Sequence, residues 1–399
     1  MNLQEIKQMD ETYYMNTFGQ RRNVAFDHGK GITLYDTEGN AYTDFFAGIA
    51  VNALGYAHPA FVKALQEQAG KLLHTSSLYY IEQQARLAKM IVERSCADRV
   101  FLANSGAEAN EGAIKLAKIY FYKQGKAERS EIITLTDSFH GRTLTTVAAT
   151  GQPKYQKPYR PLTPGFIHVP LGDFAALAAA VTDKTAAILL EPIQGESGVH
   201  PCGKEYLQKV RALCDEKGIV LIFDEVQTGI GRTGKLFAYE HYGVEPDIFT
   251  LAKALGGGVP IGAVCAKQAF CAFEPGDHGS TFGGNPFSSA AGCAVLDIIE
   301  REGLVEHAAE VGAYLKEKLC ALAKNYPDKI AEVRGVGLML GVEYKDGLVK
   351  AVNDALFARR ILCGNTATTL RILPPLIVTK EEVDAFIEVL DDVTNRITK

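Results

Sequence analysis

The chain has 399 residues, 47% of them hydrophobic and 22% charged, with 42 basic against 47 acidic side chains and a formal net charge of −5. This is the balance of a globular protein with a large core and room for two or three domains. It offers no electrostatic reason to expect nucleic acid or an anionic membrane as partner, and no stretch approaches the roughly 20 apolar residues of a membrane helix. Eight cysteines are scattered with no C-x-x-C pair, and Met1–Asp10 is mixed in charge without an apolar signal core. No metal site is expected, and a reduced cytoplasmic setting is.

Residues 11–60 carry few long helical patterns. Short strands are predicted at Ile32–Tyr35 and Ala41–Phe46, joined by a hairpin at Glu38-Gly39-Asn40. Asp44–Asn52 reads as an apolar loop, packed on the core or walling a substrate site. His58, before Pro59, reads as a helix start. Two helices are expected over 60–94, separated by His74-Thr75-Ser76-Ser77, then a strand at Arg99–Ala103. Ser105 and Glu108 have the spacing of a capping box, with Ala109, Ala113, Leu116 and Ala117 as the apolar face of the helix that follows. Gly106 leaves amides open at the positive end of that helix. This suits a phosphate, although an ordinary capped helix looks the same.

A strand at Glu131–Leu135 runs into Ser138-Phe139-His140-Gly141-Arg142, where an aromatic ring, an imidazole and a guanidinium suit ring stacking and carboxylate binding. The strand Ala186–Leu190 ends in Glu191-Pro192-Ile193-Gln194-Gly195-Glu196. Two further apolar runs, Val220–Phe223 and Ile248–Ala252, end in Asp224 and Lys253. Such runs read as buried strands of a parallel sheet, whose carboxyl ends collect ligands. An acid and an amine at that edge suit pyridoxal phosphate, which needs a lysine for covalent attachment and a carboxylate beside its ring nitrogen. Other readings stay open at this point. A strand-end Asp-Glu also holds magnesium in nucleotide hydrolases, and a lysine before Gly-Gly-Gly is also an ordinary solvated charge. Gly229, Gly234 and Lys235 match a phosphate-loop spacing, but Leu236 stands where that motif needs a hydroxyl.

Ala263–Ala266 is expected to be an antiparallel or closing strand. A glycine-rich loop with hydroxyls, Asp277 to Pro286, follows it. From about 287 helices near 287–301, 304–323 and 348–358 alternate with short strands at Glu332–Arg334, Leu338–Tyr344 and Leu370–Ile372. Thr379 and Glu382 box the start of a last helix striped by Val383, Phe386, Ile387 and Leu390. The expected division is an N-terminal segment at 1–60 belonging to the small domain, a large domain at 61–286, and a C-terminal α+β domain at 287–399.

Seven motifs fall in one order. They are Ala50–Gly55, Asn104–Asn110, Phe139–Arg142, Glu191–Glu196, Asp224–Gly229, Leu251–Lys253 and Ser280–Pro286. Together they resemble the class III aminotransferases of the pyridoxal phosphate family over nearly the whole chain. The resemblance implies an α/β fold of type I, with a mostly parallel sheet flanked by helices plus the smaller α+β domain. It implies that Lys253 binds the cofactor covalently and shuttles the proton, while Asp224 holds the pyridine nitrogen. Gln227 is then expected at the ring hydroxyl, Phe139 and Val226 on the two ring faces, and Ser105, Gly106, Ala107 and Glu191 among the other cofactor contacts. Thr281 is expected to reach the phosphate of the other subunit of a homodimer with shared sites. Arg142 and Arg371 resemble the carboxylate binders, with Glu196 neutralising Arg371 and Ser280 as a further substrate-binding residue. The implied reaction moves the terminal amine of an acylated ornithine to 2-oxoglutarate, giving glutamate, as in arginine biosynthesis. Ornithine, succinylornithine, 4-aminobutyrate and mutase chemistries stand as alternatives. Phe18, Ser77 and Ala107 depart from the frequent Tyr, Asn and Thr, which touches substrate and phosphate detail.

Overall fold

The computed structural model describes residues 1–397, so the last two positions of the expected C-terminal domain lie outside it. At its centre is a seven-stranded sheet in the order Arg99–Ala103, Gly262–Ala266, Ile248–Leu251, Val220–Asp224, Thr185–Leu190, Glu131–Leu135, Phe166–Val169. Gly262–Ala266 runs antiparallel to both neighbours, as its position after the lysine suggested, and the other pairs are parallel.

The apolar runs explain this sheet. Every residue of Thr185–Leu190 and of Val220–Asp224 is buried. Along the second strand Val220 and Ile222 join the core under the helix Gly106–Lys123, while Leu221 and Phe223 join the core that includes Leu207 and Val210 of the helix Lys204–Lys217. Alternate side chains thus feed opposite faces, each covered by a crossover helix. Parallel register places Asp224 opposite Thr250, three residues before Lys253. Glu191, Asp224 and Lys253 therefore leave neighbouring strands at the same edge.

Ile193–Gln194 and His200–Pro201 pair as a two-stranded ribbon, and two four-stranded sheets accompany the central one. Phe26–Lys30, Thr33–Asp36 and Ala41–Asp44 form a meander with the expected turn, Gly39 at φ +82°, and Ile361–Leu362 adds parallel to its last strand. Ile330–Val336, Met339–Tyr344, Thr369–Ile372 and Gly364–Asn365 form an antiparallel sheet that carries Arg371. The closing helix Lys380–Arg396 starts with both reciprocal bonds of the Thr379–Glu382 box.

The Ser105–Glu108 box is only half made. Ser105 Oγ accepts from the Glu108 amide at 3.1 Å, but the Glu108 carboxylate turns to the Asn104 amide at 2.7 Å instead of to Ser105. The Ser105 amide is thereby left open beside those of Gly106 and Ala107, which the first turn of any helix leaves without an intrahelical acceptor. The apolar loop after Asp44 is also more specific than expected. Ala47, Gly48, Ile49 and Ala50 all have positive φ, a left-handed turn held by Asp44 Oδ1 accepting from the Phe46 and Ala47 amides at 2.7 and 3.0 Å. Three non-glycine residues in that region cost of order 1 kcal/mol each or more, so the turn persists only because its surroundings impose it.

Candidate active site

The strand-end acid and amine face one cavity of ≈ 400 Å³. Asp224 is 4% exposed and accepts three hydrogen bonds. Its Oδ2 takes Asn110 Nδ2 at 2.7 Å and His140 Nδ1 at 2.8 Å, and its Oδ1 takes the Val226 amide at 3.0 Å. Asn110 is held in turn by Thr250 Oγ1 at 2.8 Å, and donates to the His140 carbonyl at 2.8 Å. Lys253 has φ +46°, a strained conformation at the head of a single tight turn, Lys253–Gly256. Its side chain lines the cavity and takes no hydrogen bond or ion pair among the described residues. Withdrawal from bulk water pulls its pKa down; the Glu196 charge opposes this and the Arg371 charge adds to it. A lowered pKa at a lysine facing a cleft is what a nucleophile needs.

At the other end of the cavity lie Ser105, Gly106 and Ala107, at the N-terminus of the 18-residue helix Gly106–Lys123. A Cβ on Gly106 would sit 2.8 Å from a Val226 methyl, so only glycine lets this turn approach the Val226 wall. Phe139 and Val226 are the apolar sides. Glu191 does not act on the cavity by charge alone. Its Oε1 accepts from the Phe139 amide at 2.8 Å and its Oε2 from the Gly195 amide at 3.1 Å, so it sets the backbone at Phe139. Burial raises its pKa, with the His140 charge opposing.

Glu196 and Gln227 line the side of the cavity that leads to Arg371. Arg371, 3% exposed, pairs with both oxygens of Glu196 at 3.0 and 2.9 Å and donates to Gln227 Oε1 at 3.1 Å. Gln227 Nε2 closes the cluster on Glu196 at 3.0 Å. Burial works to raise the Glu196 pKa, but Arg371 and Lys253 hold it below the usual carboxylate range. Phe46, from the left-handed turn, lies against the Arg371 guanidinium at 5.4 Å. Arg142 is exposed at the cavity, stacked on Tyr155 at 3.9 Å with no acid bound to it among the described residues.

Ser280 and Thr281 stand apart. Ser280 Oγ takes Asn104 Nδ2 at 3.1 Å and the Gly283 amide at 2.9 Å, in a cleft shared with Ser77. Thr281 is exposed outside the cavity of its own chain, and so is Phe18. Ala107 gives the cavity a methyl group where a threonine would give a hydroxyl. Val51 brings the loop expected to pack on the core or wall a substrate site to the cavity, whereas Asn110 and Tyr155 carry no individual expectation from the sequence. Asn110 left one signal: it is a polar residue beside Ala109 and Ala113 on a helix face that is otherwise apolar, and such a buried amide needs partners.

The phosphate-loop spacing at 229–235 is not an open anion nest. Arg232 and Thr233 are buried, and a Cβ on Gly234 would sit 2.7 Å from Ala309 Cα. No group of three or more metal-ligating side chains occurs among the described residues.

The family model described as Aminotransferase class-III matches residues 14–394. The chain belongs to the class III aminotransferases. It is 52% identical to an acetylornithine aminotransferase of Gloeobacter violaceus, with 98% of each chain aligned. Among solved structures it resembles an acetylornithine aminotransferase of Elizabethkingia anophelis (TM-score 0.90, 35% identity, covering 99% of this chain and 100% of that one). It also resembles an ornithine aminotransferase of Toxoplasma gondii whose active site holds pyridoxal phosphate at partial occupancy (TM-score 0.93, 34% identity, covering 98% and 94%). Pyridoxal phosphate is the cofactor of this class III aminotransferase. The residues fit it: an unpaired lysine and a buried carboxylate converge on one cavity, two apolar walls flank them, and free helix amides lie beside a glycine that a Cβ would block.

Proposed function

We infer that this enzyme moves the terminal amino group of N-acetylornithine to 2-oxoglutarate, giving N-acetylglutamate semialdehyde and glutamate, a step of arginine biosynthesis. The observation that carries this reading is the Glu196–Arg371 pair beside a free Arg142. Glutamate brings an α-carboxylate next to its reacting amine, whereas N-acetylornithine reacting at its far end does not. A guanidinium left unpaired in a closed site is costly. Glu196 neutralises Arg371 while the acylated amine is bound and gives way to the glutamate α-carboxylate, which makes the same bidentate pair. Arg142 holds the carboxylate that remains. The names of the relatives support the same substrate.

Bound pyridoxal phosphate supplies the electron sink and carries the amino group between the two half-reactions. Lys253 holds the cofactor and moves the proton at the carbon that bears the departing amine. The Asp224 carboxylate favours the protonated ring nitrogen, and Asn110 and His140 keep that carboxylate aimed. Gln227 spends one N–H on Glu196 and retains a second for the ring hydroxyl. Ser105, Gly106 and Ala107 serve the phosphate.

The test is a panel of half-reactions, adding one amine at a time and following the absorbance of the bound cofactor. N-acetylornithine and glutamate are expected to react fastest. Ornithine or 4-aminobutyrate outrunning N-acetylornithine sinks the assignment. In Glu196→Gln the ratio of glutamate to N-acetylornithine rates is expected to rise tenfold, about 1.4 kcal/mol of differential binding. An unchanged ratio makes Glu196 a structural carboxylate.

We further propose a cytoplasmic homodimer that shares its sites. No helix among the described residues is long and apolar enough to cross a membrane. Leu78 is 87% exposed and Tyr80 fully so. Exposed Phe282 meets His74 at 5.3 Å, which links this apolar surface to the loop carrying Thr281. Exposed apolar side chains near that loop support an interface there. Thr281→Ala is expected to weaken cofactor binding without dissociating the dimer. Mixed with Lys253→Ala, it forms hybrids with one intact site, and activity recovers. Hybrids no better than the Thr281→Ala parent place Thr281 in its own subunit's site. We also propose the division 1–60, 61–286 and 287–399, supported by the pairing of Ile361–Leu362 with the N-terminal meander; early proteolytic cuts deep inside 61–286 would count against it.

A further inference from the structure

Arg232 belongs to the loop that mimics a phosphate motif, yet it faces away from the cofactor cavity. It is 1% exposed and among the largest fully buried side chains of the protein. Its loop leaves the Asp224–Gln227 segment and is clamped by Glu225, whose carboxylate accepts from Thr228 Oγ1 and from the Ala238 and Tyr239 amides, each at 2.8 Å. The next turn is driven into the Arg371 sheet. A Cβ on Gly337 would sit 2.3 Å from the Thr233 carbonyl carbon, and the Leu338 amide donates to the Arg232 carbonyl at 3.0 Å.

The side chain goes to the open end of a β-ladder. Met339–Tyr344 pairs antiparallel with Thr369–Ile372, with Gly341 opposite Arg371 and Leu340 opposite Ile372. Continuing that register brings Leu338 opposite Pro374. Proline has no N–H and Pro375 follows it, so the backbone lacks the donors to extend the ladder here. Arg232 Nη1 takes their place, donating to the Leu338 carbonyl at 3.1 Å and to the Pro374 carbonyl. On the other side the Leu373 amide binds the Phe45 carbonyl at 2.7 Å, and Phe46 lies on Arg371.

This arrangement is poor as a stability device. Arg232 Nε and Nη2 have no hydrogen-bond partner among the described residues, and burial pulls the guanidinium pKa down, with Asp44 the charge that opposes the shift. Burying a cation against two carbonyls with two idle donors is commonly no better than an apolar side chain of the same size. What the contact does is fix the strand end three residues beyond Arg371, and it does so from the segment that carries Asp224 and Gln227.

We propose that Arg232 is a positioning residue that fixes the Arg371 strand against the cofactor loop, so that Arg371 keeps its place when Glu196 gives way to a substrate carboxylate. The demand falls on one half-reaction. With the acylated amine bound, Glu196 and Gln227 still hold Arg371. With glutamate bound, the guanidinium must stay in place without Glu196. This rests on the reading of Arg371 as the binder of the glutamate α-carboxylate.

The experiment compares Arg232→Met and Arg232→Lys with the wild-type holoenzyme. Half-reaction rates with glutamate and with N-acetylornithine are measured, together with calorimetric binding of glutarate, which has both carboxylates of glutamate and no amine. Arg232→Met is expected to lower kcat/KM for glutamate at least tenfold and to raise the glutarate Kd tenfold, about 1.4 kcal/mol. The N-acetylornithine rate stays within threefold. Arg232→Lys, which keeps a charge and donors for both carbonyls, is expected to lie between Arg232→Met and wild type. Equal loss in both half-reactions, or an unchanged ratio with unchanged glutarate binding, overturns the proposal, and if Arg232→Met does not fold the same ratio in Arg232→Lys decides. A wild-type enzyme that ignores N-acetylornithine, or whose glutamate reaction glutarate does not inhibit, sinks the substrate reading instead and is recognised before any variant is made.

Discussion

Lys253→Ala is expected to fold, to retain pyridoxal phosphate without a covalent bond, and to lose turnover by ~10⁴-fold or more, the upper range for removing a positioned acid–base group, or about 5.5 kcal/mol of barrier. Two features of the structure set this size. Lys253 is the one lysine among the described residues that line the cavity, so no neighbouring amine stands ready to replace it. It is also both the attachment point and the proton carrier, so one truncation removes two functions. The fold is expected to survive because the strained φ of +46° suits alanine no worse than lysine. Borohydride treatment followed by mass mapping gives a readout independent of activity. Wild type is expected to carry the reduced cofactor at position 253, and the variant none. Near-normal turnover in Lys253→Ala would remove the centre of the assigned site.

The residues on which this prediction rests were legible because they end strands buried on both faces. Val220–Asp224 and Ile248–Leu251 announce themselves as short apolar runs, and the polar residue that stops each run stands at the ligand edge. The helix Leu3–Tyr13 left no such mark, since it has no buried residue and is held by the Asn2–Glu5 capping box. The left-handed turn at 47–50 was illegible for a different reason. Alanine and isoleucine do not favour positive φ; the Asp44 carboxylate imposes it, and Asp44 comes into position only once its own sheet has formed. Tyr155 beneath Arg142 is likewise a product of tertiary packing. The loop at 229–235 shows the opposite failure. Its glycines match an anion-binding spacing, but they serve close packing, Gly229 against Leu251 and the Glu225 carbonyl and Gly234 against the Ala309 backbone, and only those neighbours reveal this.

Asp224→Asn is expected to be the second most damaging change, for reasons that go beyond lost charge. In the native site all three contacts to Asp224 come from donors. An asparagine has one acceptor oxygen. Turned toward Val226, it sets its own NH₂ against the Asn110 and His140 donors; turned the other way, it sets that NH₂ against the Val226 amide. Each orientation leaves a buried donor without an acceptor, which costs about 1–3 kcal/mol. The loss of the anion also removes what favours the protonated ring nitrogen, and with it the capacity to absorb charge as the proton leaves the substrate carbon. The unmatched donor costs the free and the cofactor-loaded protein alike, so cofactor affinity is expected to fall only through the weaker bond to the ring nitrogen, roughly 10-fold, while the rate of each half-reaction at saturating cofactor falls further, by ~10³-fold or about 4 kcal/mol. Spectroscopic titration of the cofactor and single-turnover rates separate the two. A variant whose affinity drops as much as its rate would make Asp224 a binding residue only. One with full rate at saturating cofactor would show that the ring nitrogen needs no carboxylate in this site.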